Sequence, residues 1–243
     1  MDYKKIDTHM KMKFNSNNKI KEIANLTDGK IDQISDNEIY KAGFSAVAID
    51  IIDSVKLNTS LNVDIYNKII SEFVFGVSSI MKEYQGLWLT IQGDMVYAIF
   101  ESKDKSQIDG VFNVACELHV FMTHLNKNIN KTFRINNVIK AGIGVWFSFD
   151  NYITKVGKSS NRDIVFMGDA VNKACKLANL AGRNNYRNIL FNDLINTNFT
   201  DGTKIKHNKI GSFNTYSISG LNGQIYGCDW IMTGYDNFVK NNV

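Results

Sequence analysis

The chain contains no proline, three cysteines and four histidines in 243 residues. The absence of proline argues against a proline-rich linker or tail. Cys116, Cys175 and Cys228 are odd in number and widely spaced. They form neither a disulfide framework nor a zinc pattern, and a reducing, cytoplasmic setting is the natural reading. His9, His119, His124 and His207 show no ligand spacing to one another. No run reaches the ~20 apolar residues of a membrane helix, and the opening MDYKKIDTHMKMKF lacks the apolar stretch of a secretory signal; no membrane insertion is expected. Charge of one sign is also scarce: 28 Lys and Arg against 24 Asp and Glu leave a net charge of +4, spread along the chain. That balance suits an anionic small molecule. It is weak support for nucleic acid, and no RNP-like, helix-turn-helix or zinc-finger signature is present. What is abundant is ordinary for a soluble globular protein, 44% hydrophobic and 21% charged residues, on a chain long enough to bury a substantial core.

Residues 1–40 are polar and read as part of an N-terminal extension, 1–43, with a short helix possible at 20–26. The domain proper is expected over 44–232, and 233–243 as a tail. Residues 44–52, FSAVAIDII, have the continuous apolar character of a buried central strand. A helix is expected over 60–84, with Ser60 as N-cap, Asp64 in the first turn and Gly86 just past the end. Two apolar runs, 87–91 and 95–100, flank Gly93-Asp94 and read as a β-hairpin. A second helix follows at 106–128, with His119 on its apolar stripe as a core or interface residue. A strand is expected at 138–147, another at 164–167, a helix at 171–181 ended by Gly182, and a strand at 188–191. Residues 204–232 read as short strands joined by glycine-rich turns. The order β-α-β-β-α-β, then a helix and more strands, predicts an α+β, ferredoxin-like (split βαβ) fold: a sheet with helices packed on one face.

Two constellations carry chemistry. Asp50 ends the first strong strand and Asp94 sits in the hairpin turn; in a split βαβ sheet these elements are neighbours, so the two carboxylates can meet. A divalent ion neutralises such a pair, and two ions can clamp the attacking and leaving oxygens of a phosphoryl transfer. The loop from Ile51 through Ile52, Asp53 and Ser54 offers backbone N–H groups to a triphosphate. In the second constellation, GDAVNKACK, Asn172 and Lys176 are four apart and share one helix face. An amide and a cation there suit a ribose and a transferring phosphate. Taken singly, the aspartates also read as turn residues, 51–54 as an N-capping loop, and Asn172 and Lys176 as a solvated helix face.

Together, IDIIDSVKL at 49–57, GDMVYAIF at 93–100, AGIGVW at 141–146 and MGDAVNKACKLANLAG at 167–182 resemble the class III nucleotidyl cyclase catalytic domain. The segments stand in that family's order and spacing, over about 44–232. The resemblance implies a nucleoside triphosphate substrate and two divalent metal ions, Mg²⁺ or Mn²⁺. It assigns the metal to Asp50, Asp94 and the Ile51 carbonyl, ribose orientation to Asn172, and the transition-state cation to Lys176, where the family usually has arginine. It further implies attack of the ribose 3′-hydroxyl on the α-phosphorus, release of pyrophosphate, and a head-to-tail homodimer with two shared active sites.

Base choice is where the chain departs from the family. Adenylate cyclases carry a lysine, and guanylate cyclases a glutamate, where Thr90 stands. The second adenine-reading residue of adenylate cyclases, Asp or Thr, falls at Val165, whose side chain cannot hydrogen-bond. A site that reads its substrate by hydrogen bonds loses heavily when a partner is missing. Gln92, on Thr90's face of a regular strand, can donate and accept and reads either uracil or cytosine. Stand-alone cyclases with IDxxDS and QGD motifs resemble the pyrimidine cyclases of Pycsar antiphage defence. That resemblance implies cyclic UMP or cyclic CMP as messenger and a separate effector protein. The rivals are an adenylate cyclase with an unusual base pocket and a catalytically silent, nucleotide-sensing domain. A diguanylate cyclase shares the ferredoxin-like core, but the GGDEF-type turn is replaced by QGDMV.

Overall fold

A strand can sit at the centre of a sheet only if both its faces are apolar. The strand that ends near Asp50 meets this condition with small residues on one face and branched ones on the other. In the computed structural model, which describes residues 3–14, 19–24, 26–35, 38–136, 138–156, 163–210 and 212–242, it spans Ile39–Ile51 and is the second strand. The elements are α1 (Tyr3–Phe14), β1 (Ile20–Ile23), α2 (Asp28–Asp32), β2 (Ile39–Ile51), α3 (Ser54–Ser60), α4 (Val63–Glu83), β3 (Trp88–Gln92), β4 (Met95–Glu101), α5 (Lys105–Phe133), β5 (Ala141–Val156), β6 (Asp163–Gly168), α6 (Asp169–Leu180), β7 (Ile189–Asn192), α7 (Asp193–Thr197), α8 (Asp201–Ile210), β8 (Asn214–Tyr216), β9 (Ile225–Cys228) and α9 (Thr233–Asn242).

The sheet runs β3-β4-β2-β5-β7-β9-β8, with β1 added parallel to the start of β2 and β6 antiparallel to the far half of β5. Within it, β2-α4-β3-β4-α5-β5 in the order β5-β2-β4-β3 is the expected split βαβ core. The single helical face is corrected. Val47, Ile49 and Ile51 of β2 pack against α4 and α5, whereas Phe44, Ala46 and Ala48 pack with Ala170, Ala174, Leu177 and Ala178 of α6. Both faces are therefore covered, and the alternation along β2 gives Asp50 the parity of the α6 side.

Two glycines let α6 lie directly on the sheet. A Cβ at Gly144 would fall 2.0 Å from the Ala174 carbonyl oxygen, and one at Gly142 would fall 2.3 Å from that of Ala178. The AGIG run of β5 is thus a bed for a helix backbone.

Several boundaries differ from expectation. The domain start at 44 falls inside β2, because Ile39–Ala42 pair with β1 despite the polar Tyr40 and Lys41 among them. Leu26, Ile31 and Ile34 of the same N-terminal region are fully buried. The helix expected over 60–84 is α4, Val63–Glu83, and Ser60 instead ends a separate helix, α3. The N-cap of α4 is Asn62, whose side chain accepts the Asp64 N–H at 2.9 Å. At its far end the left-handed residue is Gln85, and the Gly86 N–H returns to the Met81 carbonyl. Residues expected as strands after 204 begin within α8, whose first residue is Asp201. The expected tail forms α9, held to α5 by buried Val239 and by a 2.8 Å hydrogen bond between His124 and Tyr235. No helix of the described residues is long and apolar enough to cross a membrane.

Candidate active site

Asp50 is the penultimate residue of β2, paired with Met95 of β4 and Gly142 of β5. Asp94 is in the β3–β4 turn, where Gly93 at φ 64° takes the positive-φ position of a two-residue hairpin. The register that pairs Asp50 with Met95 brings the two carboxylates together. Burial, and then the charge of Asp94, push the Asp50 carboxyl above its ordinary range, while Arg183 pulls the other way without cancelling them. Only 10% of the Asp50 side chain is exposed.

Arg183 was not foreseen. It follows α6 and places one guanidinium nitrogen, Nη2, 3.0 Å from Asp50 Oδ2 and 3.2 Å from the Ile51 carbonyl oxygen. Its Nη1 donates to the carbonyls of Ala178 at 3.0 Å and Ala181 at 3.4 Å, at the end of α6. A lone arginine in a loop has no spacing pattern, so no sequence signal marks it. Among the described residues no group of three or more His, Cys, Asp or Glu side chains is placed to hold a metal ion. A divalent ion here would rest on two carboxylates and the Ile51 carbonyl. These hard oxygen donors already attract a cationic group, so the residues fit such an ion.

The loop that follows is less free than expected. The Ile52 N–H is committed to the Lys140 carbonyl at 2.8 Å, so it cannot face a phosphate. Asp53 is left-handed at φ 56°, precedes α3, and pairs with Lys56 at 3.1 Å; Ser54 opens the helix. A cavity of about 610 Å³ lies alongside, lined by Ile52, Lys140, Gly182 and Asn188 among others, but neither aspartate lines it.

Asn172 and Lys176 are exposed on α6. At about 100° per residue they lie opposite the buried stripe of Ala170, Ala174, Leu177, Ala178 and Ala181. Within one chain they therefore point away from the sheet that carries Asp50. Lys176 Nζ donates to the Ser219 carbonyl at 3.0 Å. A second unforeseen residue sets the start of this helix. Asn151, fully buried, accepts the Ala170 N–H at 3.0 Å and donates to the Ser148 carbonyl at 2.8 Å. Cys175 has its thiol pushed up to about 11, by burial and then by Asp50, which excludes a thiolate nucleophile.

Thr90 and Val165 are half-buried on β3 and β6, and Gln92 is exposed. Their strands meet through Trp88 and Phe166, whose ring centroids are 5.9 Å apart. Thr90 and Gln92 share the face of Trp88, as expected of a regular strand. Val165 is adjacent to Phe166 and so has the opposite parity. His119 is tied to the Trp230 carbonyl at 2.9 Å, a structural role. The side chains of His9 and His207 lie outside the described residues.

No known protein-family model matches the chain. A uridylate cyclase of Treponema porcinum is 28% identical to it, over 94% of this chain and 82% of the relative. The adenylyl cyclase CyaB from P. aeruginosa superposes with a TM-score of 0.64 at 16% identity, covering 78% of this chain and 95% of that one. The chain has the fold of the class III nucleotide cyclases. The chain also superposes on the guanylyl cyclase Cya2 with a TM-score of 0.64 at 12% identity, over 81% of this chain and 96% of that one. An adenylyl and a guanylyl enzyme match the chain equally well, so the fold by itself points to no one base.

Proposed function

We propose that the chain is a nucleotide cyclase that converts a pyrimidine nucleoside triphosphate, UTP in preference to CTP, into the 3′,5′-cyclic nucleotide and pyrophosphate. The observation that carries this reading is the likeness to the Treponema porcinum uridylate cyclase along nearly the whole chain. Thr90 and Val165 agree with it, since neither supplies the side chain expected for reading a purine.

Asp50, Asp94 and the Ile51 carbonyl would hold two divalent ions, Mg²⁺ or Mn²⁺. Bound there, the ions supply charge stabilisation on the phosphate oxygens and lower the pKa of the ribose hydroxyl. The 3′-oxygen forms a bond to the α-phosphorus, the bond to the β-phosphate oxygen breaks, pyrophosphate takes that electron pair, and the hydroxyl proton leaves to solvent. Asn172 orients the ribose, and Lys176 offsets charge on the transferring phosphate. Lysine does so as a point charge without the paired geometry of arginine. Asp53 and Ser54 face the phosphates; Thr90 and Gln92 border the base, whereas Val165, on the face of β6 opposite Phe166, does not join them.

Because Asn172 and Lys176 face away from Asp50 within a chain, a complete site takes the aspartates from one protomer and α6 from another. Two copies arranged head to tail make two equivalent sites. We assign the product a messenger role in antiphage defence, read by a separate effector protein. With purified protein, Mn²⁺ and UTP, mass spectrometry is expected to show cyclic UMP and pyrophosphate in equal amounts. Hydrolysis to UDP or UMP, or no product, would overturn the reading.

A further inference from the structure

We propose that Arg183 is the resident counter-cation of the metal site, and that a divalent ion binds Asp50 and the Ile51 carbonyl only by displacing it. This rests on the reading of Asp50, Ile51 and Asp94 as metal ligands. One nitrogen of the guanidinium touches both oxygen atoms assigned to the ion from β2, at 3.0 Å and 3.2 Å. Two cations contending for the same oxygens repel each other strongly in a site where the carboxylate is largely buried. The arginine has somewhere to go. Its second nitrogen is held by the Ala178 and Ala181 carbonyls, at the negative end of α6, a favourable place for a positive charge. That anchor does not depend on Asp50, so the side chain can release the carboxylate while staying at the helix end.

The arrangement also supplies a positive partner to two neighbouring carboxylates. Asp50 is 7% exposed and repelled by Asp94; a buried charge with no partner is costly. Arg183 supplies the partner until metal arrives. It thereby sets the threshold of metal concentration at which the site fills.

Mn²⁺ binding to the full chain, followed by the electron paramagnetic resonance signal of free Mn²⁺, tests the proposal. Arg183→Gln is expected to bind Mn²⁺ about tenfold tighter than the wild type, within the coupling range of groups in contact. A variant that merely loosened the fold would bind more weakly. Asp50→Asn is expected to remove binding in both backgrounds. Equal or weaker binding by Arg183→Gln, or no binding by either protein, overturns the displacement. Binding that survives Asp50→Asn instead overturns the ligand assignment itself. A second measurement uses the wild type and needs no folded variant beyond Arg183→Lys for assignment. The chain has four arginines, Arg134, Arg162, Arg183 and Arg187, so ¹⁵N-arginine side-chain resonances are few. Titration with Mg²⁺ is expected to move the Arg183 signal in step with binding; a signal unchanged at saturation rejects the proposal.

Discussion

Asp94→Asn is expected to lower kcat/KM for the cyclisation by about 1,000-fold, the scale of losing a group that stabilises developing charge, while the protein stays at least as stable as the wild type. The hairpin does not need the carboxylate. Its turn depends on Gly93 at positive φ, and asparagine suits the same position. The charge of Asp94 helps to push Asp50 above its ordinary carboxylate range, so removing it relieves a native-state penalty. The sign follows from proton linkage. A carboxyl whose folded pKa is raised holds its proton more tightly in the native state. Its stabilising effect is present at low pH and is lost as pH rises from the ordinary aspartate value of 3.8 through the raised value. The advantage of Asp94→Asn in melting temperature is therefore expected at neutral pH and should shrink toward pH 3.8. A variant that loses both activity and melting temperature at neutral pH would make Asp94 a structural residue.

Mixing two dead variants is expected to restore activity. Asp50→Asn removes one half of each site and Asn172→Ala the other. On the face opposite the sheet-packed stripe of α6, Asn172 cannot reach Asp50 of its own chain. In a random mixture about half of the dimers are mixed, and each has one intact site of two, so about one quarter of wild-type turnover is expected. Each variant alone should stay near background. Gel filtration of the mixture separates this outcome from simple failure to pair. If dimers form and no activity returns, the shared-site arrangement is wrong.

The parts of the molecule that were legible in the sequence are those whose meaning is local. The apolar run around Asp50 announced β2, Gly93-Asp94 announced the hairpin, and the 3.6-residue stripe announced α5. Asp50 and Asp94 could be paired because a split βαβ sheet makes their strands neighbours. What was missed has a tertiary cause. β1 is four residues long, and its residues are exposed or half-buried, so it carries no buried pattern. α9 is amphipathic only with respect to a neighbour distant in sequence, the α5 surface around His124. The second helical layer was hidden because Gly142 and Gly144 make room for α6 by lacking side chains. The Ile52 amide was offered to a phosphate because nothing in the sequence showed it bonded to Lys140. Arg183 and Asn151 matter only through contacts made once the chain has folded.

The most direct test of the account is a competition among ATP, GTP, CTP and UTP at equal concentration with Mn²⁺, with every cyclic product quantified by mass spectrometry. Cyclic UMP is expected to exceed cyclic AMP and cyclic GMP by about 100-fold or more, the discrimination that a lost hydrogen-bond partner in the base site sustains, with cyclic CMP as the second product. Cyclic AMP or cyclic GMP equal to or above cyclic UMP would contradict the pyrimidine reading of Thr90 and Val165.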